Sequence, residues 1–393
     1  MNYKTYPVSE LIDEIAMGPF GSNIKVDCFV DEGIPVLNGS NLEGFELSEK
    51  SFRYVTKEKA DSLKRANAHK GDVVITHRGT LGQIIYIPQT AQRERYVISQ
   101  SQFRVKCNEN VLPEYFVYYF HTPVGQHKLL SNASQVGVPA LARPSSTFQK
   151  IEIELPDLET QKKVVKLIGS LQRQIKINGE INDNLQQQAQ VLFKESFPYS
   201  VDDVLPDGWR VGNVGEIIEI HDSKRIPLSG AERAKMEKRI YPYYGAASLM
   251  DYVDDYIFDG KYLLLGEDGT VVDAAGYPVL QYVWGKFWVN NHAHILTGKL
   301  GHNVESLYML FKQTPIKSIV TGAVQPKISQ ANLRSVQVVV PPEKLIEEYN
   351  HKVEPLFALI RANEEENKSL ATLRDTLLPK LMSGEIDVSD IKP

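Results

Sequence analysis

Two imidazoles stand two residues apart in Asn290–His294, which reads NNHAH. On a strand, His292 and His294 would face one side and could offer two nitrogen ligands to a metal. No cysteine or carboxylate stands near them at metal-ligand spacing, and the similar stretch Ile98–Gln102, ISQSQ, keeps the polarity without any ligand chemistry. The expectation is therefore no bound metal and a polar loop facing a ligand, with Asn291 and His292 in one half of the chain and Gln100 and Gln102 in the other. Catalytic signatures are missing too. The sequence has no phosphate-binding G-x-x-x-x-G-K-[ST] loop, no G-x-S-x-G elbow, no H-E-x-x-H and no Asp/Asn-Pro-Pro-Tyr tetrapeptide.

Basic and amide side chains are the stronger candidates. His221–Arg225 and Arg233–Arg239 place six Lys or Arg residues within 19 positions: Lys224, Arg225, Arg233, Lys235, Lys238 and Arg239. Tyr243 and Tyr244 follow, and His221 opens the run. Cations interleaved with aromatic rings suit phosphate contacts combined with base-edge reading. The competing reading is a solvated helix face, partly neutralised by Glu232 and Glu237. In the first half, Ser22, Asn23 and Lys25 follow the Gly18–Gly21 turn, Asn38 and Asn41 flank Gly39, and Arg78 and Thr80 sit in His77–Thr80. Amides and guanidinium groups pair bidentately with adenine and guanine. Asn and Ser equally favour turns, and for Asn38 and Asn41 that alternative stays open.

A repeat positions these residues. Ile151–Pro156 (IEIELP) and Val336–Pro341 (VQVVVP) each precede a long amphipathic stretch, and the two stretches align without a gap at an offset of 185 residues. Weaker similarity joins Gly71–Thr80 to Gly260–Thr270, Glu114–Phe120 to Glu305–Phe311, Gly33–Gly39 to Ile240–Gly245, and Tyr6–Leu11 to Trp209–Val214. The chain reads as globular domain 1–155, helix 156–197, globular domain 198–340, and helix with tail 341–393. Each helix carries a heptad seam: Leu171, Ile175, Asn178, Asn182 and Leu185 in the first, Leu356, Ile360, Asn363, Asn367 and Leu370 in the second. Two equivalent halves require the helices to pair antiparallel within the chain, although a coil between chains fits the same seam. The central Asn pairs would fix register. Each helix of roughly 38 residues would span about 57 Å. Asp157 or Thr160 is the expected cap, Leu373 is expected on the seam in place of Arg374, and Pro355 predicts a kink or a late start in the second helix.

The globular parts read as mixed α/β. Strand-like runs are Val73–Thr76, Ile84–Ile87, Gln102–Lys106, Tyr262–Leu265, Val279–Val283 and His294–Leu296; short helices are predicted at Lys57–Ala66, Pro113–His121 and Val304–Gln313. Small irregular sheets with long loops are expected rather than a doubly wound parallel core. The 393 residues are 42% hydrophobic and 24% charged, which fits folded globular domains. Two distant cysteines argue against a disulfide framework. The absence of a long apolar run and of a signal-peptide core points to the cytoplasm. A net charge of −5 argues at first against nucleic acid. Most of the excess acid, however, lies in residues 341–393, with 7 basic against 11 acidic groups, whereas residues 1–155 balance at 17 of each.

The ordered set of motifs resembles the specificity subunit of type I restriction-modification systems. The residues that carry the resemblance are Pro206–Trp209 (PDGW), Gly71–Gly82 (GDVVITHRGTLG), Ile240–Ala246 (IYPYYGA), Tyr256–Gly260 with Gly266–Thr270, both helices, and Leu377–Ile386 (LLPKLMSGEI). The first half lacks the Gly-Trp opening and has Tyr6-Pro7 instead; the second has Glu267-Asp268 where Arg78 stands in the first. The resemblance implies two target-recognition domains on an antiparallel pair of spacer helices, each domain reading one half of a split duplex DNA site. It implies that the helices set the gap and dock two methyltransferase subunits, and that restriction/translocase subunits join for cleavage. S-adenosylmethionine, ATP and Mg would then sit on those partners and the chain would be non-catalytic. The alternatives from other classes are a protein scaffold indifferent to DNA and a metal-dependent nuclease built on His292 and His294.

Overall fold

The computed structural model describes residues 3–19, 23–134, 137–322 and 324–389. The chain forms two compact units, one of residues 1–176 with 367–393 and one of residues 177–366. Each contains one globular domain and a portion of both long helices.

The first unit is built on an antiparallel sheet of four strands in the order Ile12–Met17, Gln102–Cys107, Asp72–Thr76, Ile84–Tyr86. Asp72–Thr76 is buried along its whole length because both of its faces are covered. Val73 and Ile75 join the main core with Phe103, Tyr115, Phe116, Phe120 and Phe148, while Val74 joins a second cluster with Ile85, Tyr96 and Ile98. A strand buried on both faces reads as a continuous apolar run, which is why VVIT stood out in the sequence. Helix Pro113–His121 opens with proline at its first turn and packs five aromatic rings against this core. A second sheet of short strands holds the parallel pair Ile34–Val36 and Arg95–Val97.

The second unit repeats the plan. Its four-stranded sheet runs Ile218–Ile220, Ala293–Gly298, Tyr262–Gly266, Leu280–Val283. Its second sheet again contains one parallel pair, Tyr241–Tyr244 with Lys286–Val289. The motif pair that announced the repeat takes the same place in both: Glu152–Leu155 pairs with Lys4–Pro7, and Gln337–Val340 with Arg210–Asn213. The mixed α/β class with small irregular sheets is thus realised twice.

The long helices span Leu158–Ser196 and Glu343–Met382. Asp157 caps the first, its Oδ1 accepting the Thr160 N–H at 2.8 Å. In the second unit Asn178 donates to Glu366, Asn363 donates to the Asn182 Oδ1 at 2.8 Å, and the Tyr349 hydroxyl donates to the Ala189 carbonyl at 3.0 Å. Numbers rising on one helix meet numbers falling on the other, so the pair is antiparallel. In the first unit Arg374 donates to Gln172 in the same sense. Leu185, Ala189, Phe193, Tyr349, Val353, Phe357 and Ile360 make the apolar seam of the second unit. Leu171, Ile175, Leu356, Asn367 and Leu370 are half-buried along the pair.

Two helix expectations are corrected. Leu373 is 46% exposed rather than on the seam. Arg374 keeps that position, with its guanidinium 5.1 Å from the Phe45 ring centroid. Of the two outcomes expected at Pro355, the late start is excluded: the second helix is continuous from Glu343 past Pro355. Pro355 and His351 are both exposed. The carbonyl that loses its N–H partner can therefore bond water, while Tyr349, Val353, Phe357 and Ile360 hold the flanking turns. Pro355→Ala is expected to stabilise the chain, by up to about 3 kcal/mol. A Tm that does not rise in thermal unfolding would contradict this account of the helix.

Candidate nucleic-acid interface

In each unit one end of the four-stranded sheet gathers the candidate loops. The registers Phe103↔Met17, Gln102↔Thr76 and Ile75↔Ile84 bring the segments after Met17 and Thr76, and those before Gln102 and Ile84, to a single edge in the first unit. Ile220↔Leu296, Gly266↔Ala293 and Leu265↔Leu280 do the same in the second.

In the first unit Arg78, Thr80 and Gln100 are exposed in the loops of that edge, and Asn23 and Lys25, further along the segment after Met17, are exposed as well. The His77 N–H donates to the Ser101 carbonyl at 2.9 Å, and a His77 ring nitrogen lies 3.1 Å from the Gln100 carbonyl. The loops that carry Arg78 and Gln100 are therefore stitched together. Burial holds His77 below the usual histidine pKa, favouring the neutral ring. The Gly79 N–H donates to the Pro139 carbonyl, adding residues 139–141 as a third loop. At Gly18 a β-carbon would lie 1.9 Å from the Ser99 carbonyl oxygen, so only glycine lets the chain leave the strand there. Ser22 lies outside the described residues.

Three first-half candidates are withdrawn from base reading. Asn41 is fully buried, and its amide donates to the Ser48 and Lys50 carbonyls at 2.9 Å each. The Asn38 side chain accepts the Ser40 N–H at 2.9 Å. These are turn contacts, the alternative the sequence left open. Gln102 is buried, with its Oε1 accepting the Ser99 N–H at 2.9 Å. What the sequence did not mark is Gln83, whose amide donates to the Gly39 carbonyl and pins the 38–42 turn beside the Arg78 loop.

In the second unit the basic run divides. Lys224, Lys235, Lys238 and Arg239 are exposed, as is Asn291. Arg225 turns inward instead: Nη1 donates to Glu267 at 2.6 Å and to the Ala293 carbonyl at 2.8 Å, and Nε to the Asp222 carbonyl. Arg233 lies 4.9 Å from the Tyr243 ring centroid and bonds Asp251 at 3.1 Å. Tyr243 is buried with its hydroxyl on the Leu228 backbone, and Tyr244 packs against Phe287. A His221 ring nitrogen meets the Thr297 hydroxyl at 2.7 Å. Arg225, Arg233, Tyr243 and His221 are thus committed to holding the domain together, because their partners arrive from distant strands.

The histidine pair also resolves differently from its spacing. His292 Nδ1 lies 2.6 Å from Asp268, whereas the buried His294 Nδ1 lies 2.6 Å from Asp222, so the two rings do not share a ligand. The carboxylates that seemed missing come from other loops: Asp222, Glu267 and His294 place ligand atoms within 4.8 Å of one another. Arg225 and Lys327 already neutralise Glu267, and Gln330 donates to Asp222 at 2.6 Å. The cluster reads as an ion-pair network. Burial alone would raise the Asp222 pKa, but the His294 contact, the Ile295 N–H and Arg225 hold it below the carboxylate range.

The hydrogen bonds also align the halves residue by residue. The Glu267 backbone N–H donates to the His292 carbonyl as that of His77 does to Ser101, the Gly269 N–H to the Pro326 carbonyl as Gly79 to Pro139, and the Ile328 N–H to the Glu267 carbonyl as Leu141 to His77. Glu267 therefore stands in the place of His77, and Asp268 in that of Arg78.

Comparison with known proteins agrees with this duplicated plan. The family model described as the type I restriction modification DNA specificity domain matches residues 24–187 and again 206–374. The type I restriction enzyme MjaIX specificity subunit of Methanocaldococcus jannaschii is 22% identical, over 97% of this chain and 93% of its own. A putative type I restriction enzyme specificity subunit of Haemophilus influenzae is 31% identical over 37% of this chain and 36% of its own. The crystal structure of the S subunit of a type I restriction-modification system from M. genitalium shares the fold, with a TM-score of 0.55 at 16% identity, covering 97% of this chain and 96% of that one. With two matches that together span most of its length, the chain belongs to the type I restriction-modification DNA specificity family.

Proposed function

We propose that this chain is the DNA-specificity subunit of a type I restriction-modification complex. Each globular domain reads one half of a split, asymmetric duplex site. The helix pair sets the unread gap and docks two methyltransferase subunits, to which restriction/translocase subunits add. The chain performs no catalysis: S-adenosylmethionine, ATP and Mg reside on the partners. The observation that carries this reading is the same loop edge built twice with different side chains, Arg78 and Ser101 in one half and Asp268 and His292 in the other. A guanidinium is suited to guanine, whereas a carboxylate accepts from the cytosine amino group, so the two edges are fitted to unlike base sequences. The exposed lysines supply phosphate contacts. Among the described residues no helix is long and apolar enough to cross a membrane.

Cells expressing this chain with its methyltransferase partner should carry methylated adenines in one bipartite motif, read by methylation-sensitive sequencing of their DNA. Replacing residues 1–155 by those of a relative should change one half of the motif and leave the other. Absence of a split motif would sink the proposal, and a change in both halves would sink its modular part.

A further inference from the structure

The alignment of the halves exposes one substitution in the core beneath the loops. Glu267 stands where His77 stands, so the residues one step back, Gly266 and Thr76, correspond. Ala293 and Gln102 pair with those two, and the next residues along, His294 and Phe103, therefore correspond as well. On the neighbouring strand Ile220 faces Leu296 as Ile15 faces Val105, which sets Asp222 against Met17. The first half has an apolar phenylalanine and methionine at these sites. The second has a fully buried histidine and a buried aspartate.

Burying such a pair is costly unless every polar atom is met, and here they are met. His294 Nδ1 lies 2.6 Å from Asp222 Oδ2, and Nε2 lies 2.8 Å from the Ile328 carbonyl. Asp222 Oδ1 accepts the Ile295 N–H, and Oδ2 also accepts from Gln330. Arg225 stands 3.5 Å from Asp222 and bonds Glu267, which Lys327 also pairs. The ring thus ties the strand that carries it to the backbone of residues 325–328. That segment supports the Asp268 loop, since Gly269 donates to Pro326 and Ile328 to Glu267.

We propose that His294 is a positioning residue for the second half-site: its bond to the Ile328 carbonyl fixes the two loops from which the second domain reads DNA. The proposal rests on the DNA-reading function above. It makes the two halves differ in how their reading edges are held, apolar packing in the first and a buried polar hub in the second.

The test uses the full chain assembled with its methyltransferase partner and measures its affinity for duplexes carrying the cognate site, a scrambled first half or a scrambled second half. In the natural complex each scramble should weaken binding by at least about tenfold. If neither does, the DNA-reading function itself has failed. In His294→Phe, which places the first half's own residue at this site, the penalty for scrambling the second half should shrink to under about threefold. The first-half penalty should stay intact. His294→Gln, whose side-chain amide can reach the Ile328 carbonyl, should restore discrimination; His294→Asn, too short to do so, should not. Full discrimination in His294→Phe overturns the proposal, as does an equal loss at both halves, or the same loss in His294→Gln as in His294→Asn.

Discussion

Arg361→Ala is expected to destabilise the second unit by about 3 kcal/mol, at the low end of the range for breaking a buried ion pair. Glu305 is fully buried at the start of the Val304–Phe311 helix. Its Oε1 accepts the Tyr282 hydroxyl at 2.7 Å and lies 2.7 Å from Lys261 and 3.2 Å from Arg361 Nη1. Arg361 also bonds Glu354 at 2.8 Å, and Lys261 reaches Glu354 at 2.9 Å. Two cations therefore join two carboxylates, one on the domain and one on the long helix. Losing Arg361 leaves a buried carboxylate with half of its countercharge, and Lys261 keeps the effect from the top of the range. The same network sets a pH dependence. Burial alone would raise the Glu354 pKa, but the bonds from Lys261 and Arg361 hold it below the usual carboxylate range. A carboxyl with a lowered folded pKa contributes stability above its unfolded pKa, and that contribution disappears as pH falls through the folded value. Acid unfolding of Arg361→Ala should therefore begin at higher pH than in the natural chain. Hydrogen exchange in residues 304–311 reads both effects, and unchanged exchange at neutral pH would refute the clamp.

The contrast between what the sequence disclosed and what it hid follows from the distance between partners. Strands Asp72–Thr76 and Tyr262–Gly266 were legible because burial on both faces makes them unbroken apolar runs. Helix Pro113–His121 was legible from its proline start and aromatic density. The parallel pair Ile34–Val36 and Arg95–Val97 was not, since three residues are too few to show a period. Lys224 and Arg225 are neighbours with opposite fates, one exposed and one internal. What separates them is Glu267, 42 residues away, which no local pattern reveals. The same holds for His294, whose partners Asp222 and Ile328 come from elements 72 and 34 residues distant. The repeat read from sequence sets His294 against Gln102, a polar residue in both copies, and only the strand registers shift it by one place onto Phe103 and expose the polar-for-apolar exchange. The late start expected at Pro355 failed for a converse reason. Its local penalty is real, but four buried side chains on the flanking turns outweigh it.

Replacing Lys224, Lys235 and Lys238 together with alanine is expected to weaken DNA binding by the assembled complex by about 10²-fold near physiological salt. These three are chosen because they are exposed, whereas Arg225 and Arg233 bond Glu267 and Asp251 and their loss would unfold rather than unbind. Each lysine that meets a phosphate releases a condensed counterion, so each lowers the slope of log affinity against log salt by about 0.9 when removed. Three contacts therefore reduce the slope by nearly three. Extrapolated from molar salt, that slope accounts for the expected loss of affinity. Because phosphate contacts carry no sequence information, the ratio between cognate and scrambled duplexes should change little. The pattern is opposite to that expected for His294→Phe, in which the ratio falls at one half-site and the salt slope stays. A triple variant that kept its slope would take these lysines off the DNA. One that kept its slope but lost discrimination would mean that they read bases instead of gripping the backbone.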